Sequence, residues 1–429
     1  MGNYQNILCC SQNSMNDNLN VETITNIIKE NNSNNLLPYL SMGSISSSNV
    51  THKKKLILYS HDNDNIKSIF IEDLINSSSV EVKKIVFGKN YFLGLLEDSN
   101  KTYLVGYGDN SLGQLGLNVN TEYYESKNNN NPINYYDYLL LINIFKPEEI
   151  ILDLSTERNI TYVLVKDTKL NKTSIFKFGL SEEELLKIRT VSVKEINPIK
   201  IEEINEEIIN DINHIFSMKY RILLTSSNSI YLKGSMFNMG YNRTYKLFKK
   251  FNQKIEQFFT GIGHIILRLE DGKLLTMGNN EYGELGCESS NKLKFNKVDF
   301  FKDKNIKKIS TGFRHNLILC DNELYAFGEN SSGQCFGNDI KCEPSLITIS
   351  NNNEKIIDCF AGADYSLLIT ESKKIYAWGN CNFIIKDELN PINDADEKKM
   401  RLISDIELKD VKNIFCGINH IIFYTEIMS

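Results

Sequence analysis

Apolar positions along this chain recur in a unit of about fifty residues, and self-similarity at that period signals a repeat architecture. "IEQFFTGIGHIILRLEDGKLLTMGNNEYGELG" (255–286) aligns with "IKKISTGFRHNLILCDNELYAFGENSSGQCFG" (306–337). Each reads as an apolar strand, Gly-x-x-His, an alternating strand, a turn, and a strand closing on Gly. "IIDCFAGADYSLLITESKKIYAWGNCNF" (356–383) repeats the pattern with Tyr365 in the histidine slot. Upstream, 82–116 is a clear copy, while 149–179 and 212–234 are eroded ones. The closing glycines fall at positions 108, 179, 234, 278, 328 and 379.

Within a unit the pattern is that of a β-meander. In "HIILRLEDGKLLTMG" the Asp271-Gly272 pair separates two apolar, alternating stretches, a hairpin signal because Gly accepts the positive φ of tight turns. The two ends of the chain each supply half a unit. "KLILYS" (55–60) matches a closing strand with no Gly-x-x-His before it, and "VKNIFCGINHIIFYTE" (411–426) is an opening half with no closing strand after it. Pairing them shuts a ring without free sheet edges. Residues 55–426 divide into seven units of about 53 residues. The pattern therefore predicts an all-β, seven-bladed β-propeller over 51–429, closed by the N-terminal strand pairing with the C-terminal blade. Residues 1–50 are expected to be a disordered Asn/Ser-rich tail, and insertions are expected near 118–149 and 180–211.

Composition narrows the setting. Apolar residues make up 41% of the chain and the formal charge is −6, with Lys and Arg interspersed among Asp and Glu. That disfavours nucleic acid, whose phosphates require a concentrated basic surface. The lysine runs at 53–55 and 248–251 are expected at solvated edges. The longest apolar run, "YLLLINIF" (138–145), falls far short of the ~20 residues of a membrane-spanning helix. Nine cysteines lack CxxC or framework spacing, so the chain reads as intracellular. Spread over separate repeats, they are expected as buried small side chains, and no metal site is expected.

The start, "MGNYQNILCCSQNS", sets Gly2 behind the initiator Met and pairs Cys9 with Cys10, a pattern similar to a dual acylation signal. A myristoyl chain on Gly2 holds a membrane only marginally, and palmitoyl groups on Cys9 or Cys10 would make attachment stable. Asn6 stands where the myristoylation pattern has a hydroxyl residue.

The repeated G-x-x-H, the aromatic-Gly closures (Tyr107-Gly108, Phe327-Gly328, Trp378-Gly379) and the G-Q-L-G motif (Gly113 to Gly116, with variants at Gly283 to Gly286 and Gly333 to Gly337) resemble the RCC1 family of seven-bladed β-propellers. The resemblance spans 55–426. It implies an exchange factor for a small GTPase, a ligase appendage or a scaffold. In the exchange-factor branch, histidines of this slot in the last blade and two blades earlier act in releasing nucleotide from the GTPase Ran. Those positions fall on His420 and His315. The same branch uses acids on the turns after the slot in the second and third units. Asp167 matches the first, while "TSSNS" (225–229) carries no acid, and the start lacks the basic residues of chromatin-binding members.

The plainest role for the slot histidines, His264, His315 and His420, is a hydrogen bond within their own blade. "HDNDN" (61–65) departs from a calcium loop at Ile66 and Lys67, and neither a phosphate-binding loop nor a G-x-S-x-G nucleophile turn is present. Catalysis is not demanded and no cofactor is implied. Two functions stay open: an interaction module held at a membrane by acylation that recruits a protein partner, or a guanine nucleotide exchange factor for a small GTPase.

Overall fold

The computed structural model describes most of residues 52–428; outside it lie chiefly 1–51, 121–134, 185–194, 235–241, 385–398 and 404–410. The described residues form seven four-stranded antiparallel sheets arranged as a β-propeller. Numbering blades along the chain, their innermost strands are Glu81–Phe87, Glu149–Glu157, His214–Met218, Ile255–Thr260, Ile306–Thr311, Ile356–Ala361 and Val411–Cys416. Each blade then runs outward through three more strands. In blade 5 these are His315–Cys320, Glu323–Gly328 and Lys341–Ile347.

Blade 7 takes its inner strands, Val411–Cys416 and His420–Met428, from the end of the chain and its outer strands, His52–Ser60 and Asn63–Phe70, from the beginning. His52 pairs with Met428 and Ser60 with His420, nine residue pairs in unbroken register. The expected closure is present, and the N-terminal side contributes a second, outermost strand that the pattern did not reveal.

Hydrophobic pattern becomes packing at the seams between blades. Buried apolar residues gather into seven clusters, one at each seam. Successive side chains of a strand point to opposite faces, so Leu317 and Leu319 pack toward blade 6 while Ile318 packs toward blade 4. Burial on both faces makes second strands such as His315–Cys320 and Tyr365–Thr370 buried at every position, where alternation was expected. The six closing glycines all adopt positive φ, from +77° at Gly179 to +127° at Gly278. At Gly328 a Cβ would lie 2.3 Å from the Arg314 carbonyl oxygen, so this residue type is fixed by close approach as well as by φ.

The two regions expected to interrupt the repeat contain blade elements as well. Tyr135–Ile142 is the outer strand of blade 1, Ile199–Ile201 that of blade 2, and a four-residue helix spans Glu206–Ile209. Val119–Asn120 and Glu195–Ile196 pair into a short antiparallel ribbon that joins the two insertions. Lys54, expected at a solvated edge, is buried. Its Nζ donates to the Val80 carbonyl at 2.8 Å and to Glu81 at 2.7 Å, tying blade 7 to blade 1. Among the described residues no helix is long and apolar enough to cross a membrane.

Candidate interaction face

The turn joining the first two strands of a blade explains the Gly-x-x-His spacing. The glycine N–H donates to the slot residue's carbonyl in Gly88–Tyr91, Gly261–His264, Gly312–His315, Gly362–Tyr365 and Gly417–His420, at 2.8 to 3.0 Å. The slot ring folds back over the glycine: a Cβ at Gly261 would lie 2.3 Å from His264 Cε1, and one at Gly362 would lie 2.0 Å from Tyr365 Cζ. Only glycine leaves room for the ring.

The ring then reaches across the seam, and this corrects the expectation of hydrogen bonds within one blade. His264 Nε2 donates to Asn316 Oδ1 (2.9 Å), and Asn316 Nδ2 donates to the Glu284 carbonyl (2.9 Å). His315 Nε2 donates to Ser366 Oγ (3.0 Å), which donates to the Gln334 carbonyl (2.8 Å). Tyr91 joins Thr161 (3.0 Å), which donates to the Gln114 carbonyl (2.9 Å). Each chain links a slot, the next blade's second strand, and the slot blade's own Gln/Glu loop.

That loop is itself held by side chains. Leu285 N–H donates to Asn280 Oδ1 while Asn280 Nδ2 donates to the Cys287 carbonyl, and Asn110 and Asn330 repeat the arrangement. Here the asparagine caps the turn, as its side chain is suited to do.

The clasped histidines cannot meet a partner. His264 and His315 are fully buried. Burial pushes His264 down to about 4, partly opposed by the Asn316 hydrogen bond, and His315 down to about 3, so both are neutral at physiological pH. At the seam between blades 6 and 7, Tyr365 donates directly to the Gly417 carbonyl at 3.0 Å. His420 is half-buried, its ring stacked on Phe87 of blade 1 with centroids 6.4 Å apart. Blades 2 and 3 carry Ile160 and Arg221 in the slot, and Ile160 packs in one cluster with Ile222 of blade 3.

What the face presents outward are the turn tips. Lys89 N–H donates to the Arg158 carbonyl (2.9 Å), Ile262 to Phe313 (2.9 Å), and Phe313 to Ala363 (3.1 Å), linking the tips of blades 1 and 2, 4 and 5, and 5 and 6. Ile262 is 41% exposed and Ile418 42%. Arg314 lies 5.1 Å from the centre of the Tyr282 ring and 3.6 Å from Glu329.

Nearer the other end of the inner strands, bulges in six of them break the register at Lys84, Asp153, Gln257, Lys308, Asp358 and Asn413. Buried Asp153 accepts from Lys84 (2.7 Å) and the Ile215 amide (3.0 Å), with His214 Nδ1 at 3.4 Å. Burial alone would raise its carboxyl, but Lys84 and His214 outweigh it and hold it below its ordinary value. Lys308 pairs with Asp358 at 2.5 Å.

The residues expected to act together in nucleotide release are not brought together. Asp167 ends the second strand of blade 2 at the opposite end from the slot residue Ile160. It accepts from the amides of Lys169 and Leu170 in a hairpin on the other face of the ring. Gly2, Cys9 and Cys10 lie outside the described residues. Cys320, Cys335, Cys359 and Cys381 are buried, whereas Cys287 and Cys416 are half-buried and Cys342 is exposed. Among the described residues no cluster could hold a metal.

Two family models, each described as a regulator of chromosome condensation (RCC1) repeat, match residues 306–334 and 321–369. The ultraviolet-B receptor UVR8 of Arabidopsis thaliana is 30% identical over 131 residues, 30% of this chain and 30% of the receptor. Protein RCC2 homolog of Xenopus laevis is 28% identical over 184 residues, 37% of this chain and 35% of that protein. The matched stretch thus spans about a third of each curated relative.

Yeast RCC1 (Prp20), solved with Kap60 bound, superposes with a TM-score of 0.63 at 15% identity, covering 92% of this chain and 97% of Prp20. A second structure of Prp20p from Saccharomyces cerevisiae, described with its binding to Gsp1p and histones, gives 0.63 at 16% identity, covering 87% and 92%. Human WBSCR16 gives 0.60 at 13% identity, covering 87% and 98%. Its seven blades and Gly-x-x-His turns, with RCC1 repeats matched over 306–369, make this chain similar to the RCC1-repeat propellers in fold and in that part of its sequence.

Proposed function

We propose that the chain is a protein-binding module whose docking surface is the ring of inner turn tips, attached to a membrane through acyl chains on Gly2 and on Cys9 or Cys10. The observation that carries this reading is the burial of His264 and His315 in seam clasps. With these two committed to holding blades together, the face meets a partner through Ile262, Ile418 and the basic tips Lys89, Arg158 and Arg314. Scattered exposed apolar residues among charges suit a non-obligate protein contact. The anchor rests on the sequence pattern of the first ten residues.

Proximity labelling from the intact N-terminus tests both parts. A Gly2→Ala protein and a Cys9,Cys10→Ala protein should leave the membrane fraction and lose its neighbours. An Ile262→Asp,Ile418→Asp protein should stay at the membrane and lose its protein partner. Unchanged neighbours in a folded Ile262→Asp,Ile418→Asp protein would remove the turn face from consideration.

A second reading, nucleotide exchange on a small GTPase, is favoured by half-exposed His420 at the slot of the closing blade and by the likeness to Prp20p. Such a factor acts by preferring one state of its partner and needs no bound cofactor. Release of labelled GDP from a panel of small GTPases decides it. No acceleration, or the same acceleration from a His420→Ala protein, counts against this reading.

A further inference from the structure

The lysine run at 248–251 lies beside an opening on the outer circumference of the ring. The outermost strand of blade 3, Asn242–Lys250, pairs on its inner side with Ser229–Gly234 and ends the sheet. The outermost strand of blade 4 is only the pair Asn296–Lys297, and the loop before it stands opposite the blade 3 edge. Between them is a groove of ≈ 680 Å³. Its floor includes Phe248, Leu247 and Leu293 reach 54% and 43% exposure along its walls, and Lys246, Lys249 and Lys294 stand around them. No carboxylate lines it.

From these observations we infer that the groove docks an extended, acidic segment of a partner protein, with apolar side chains between its carboxylates. Neighbouring Lys292 and Lys297 are paired with Glu281 at 3.1 Å and Asp299 at 2.5 Å. Among the described residues Lys246, Lys249 and Lys294 have no carboxylate within ion-pair distance. In a chain of net charge −6, three such cations around one opening are a local reversal of sign. It complements an acidic ligand.

Lysines on a sheet edge are also a common defence against edge-to-edge association, which accounts for the charge alone. It does not account for half-exposed apolar surface at the same hollow, with Phe248 at its floor and Leu293 43% exposed on its wall. The recess favours a polypeptide over a flat lipid surface, because a single extended chain enters a groove that a plane of headgroups spans. The free edge of Asn242–Lys250 further offers main-chain donors and acceptors to an added strand, the usual way an extended peptide joins a sheet. The site is on the circumference, apart from the inner turns, so it stands or falls independently of the turn-face reading.

The test uses the full chain and a short fluorescein-labelled peptide alternating Glu with Leu or Val, with a control carrying Lys for Glu. Vesicles of phosphatidylcholine with phosphatidylserine form a separate arm. The acidic peptide should bind more tightly than the basic control, and added salt should weaken binding. A Lys246→Glu,Lys294→Glu protein with an unchanged melting temperature should bind it about tenfold more weakly or worse. A Leu247→Ser,Leu293→Ser protein, which keeps the charges, should also lose affinity, and bound peptide should slow amide exchange over 244–250. The proposal is overturned if the acidic peptide binds no better than the control, or if binding survives the charge reversal in a folded protein. It is equally overturned if bound peptide protects amides elsewhere, or if the lysines capture vesicles but not peptide.

Discussion

Between blades 5 and 6 a buried histidine, a serine and a backbone carbonyl run in series across the seam, while between blades 2 and 3 the corresponding positions hold Ile160 and Ile222, packed in one apolar cluster. Both seams close. The difference shows that apolar packing assembles the ring and the polar clasp adds something smaller. About ten buried apolar side chains at ~2 kcal/mol each outweigh one buried hydrogen-bonded link at ~1–3 kcal/mol. What the clasp contributes is directional. A buried polar chain is satisfied in only one arrangement of the two blades, whereas isoleucines tolerate sliding. The family models match residues 306–369, a stretch that holds intact turns, clasp residues and loop of this kind.

The two seams should differ most at the turn glycine. Gly312→Ala would set a Cβ 2.3 Å from the Gly362 carbonyl oxygen and 2.3 Å from His315 Cε1. Urea unfolding should register a loss of roughly 3 kcal/mol. At the equivalent place in blade 2, Glu157 already carries a side chain, so Glu157→Ala should cost less than about 1 kcal/mol. Equal losses at the two positions would mean that the ring over the glycine does not set the spacing.

Next in size is the histidine itself. His315→Ala leaves a cavity and removes the donor to Ser366 Oγ, for roughly 2–4 kcal/mol at neutral pH, against about 1 kcal/mol for half-exposed His420→Ala. The clasp also predicts a pH response. Folded His264 and His315 titrate near 4 and 3, below the ordinary 6.5, so between those values the unfolded chain binds more protons. Stability is therefore full above pH 6.5 and is lost as pH falls below it. Thermal melting from pH 6.5 to 5, before most carboxylates titrate, should show this slope. A His264→Gln,His315→Gln protein should show a shallower one, and an unchanged slope would assign the acid response elsewhere.

The smallest effect is expected at Phe336, which sits at φ +63° where the matching loops have Gly116 (+82°) and Gly286 (+63°). Its N–H makes the same bond, to the Gly333 carbonyl at 2.8 Å. Phe336→Gly should relieve backbone strain and lose ring packing in similar measure, leaving stability within about 1 kcal/mol. A loss several times larger would show that the phenyl ring holds this loop.

Much of the ring is legible in the chain because glycine marks places where geometry forbids a Cβ, and those marks recur in register. The repeat, the closing glycines and Tyr365 in the slot all follow from that. The outer strands were harder to read. Asn296–Lys297 and Arg401–Ile403 are too short for a period, and Tyr135–Ile142 sits beside an Asn-rich segment that masks its pattern. The direction of the slot side chains was not legible, since whether His264 bonds inward or across a seam depends on Asn316, 52 positions away. Lys54 was misread for the same reason: a lysine run looks solvated until a carbonyl and Glu81 from another blade are placed beside it. The marker for a clasp does exist in sequence, as Asn316, Ser366 and Thr161 each directly follow the slot of their own blade.

Blade 7 joins the earliest strands of the propeller to the latest. During synthesis, His52–Ser60 and Asn63–Phe70 emerge first yet have no inner neighbour until His420–Met428 has left the ribosome. For most of translation the nascent chain therefore displays an unpaired two-stranded ribbon with Leu56, Leu58 and Tyr59 exposed, the kind of edge that chaperones shield and that aggregates recruit. Closing it joins residues separated by nearly the whole propeller, so the final step in folding is a long-range one, slow in proportion to that separation.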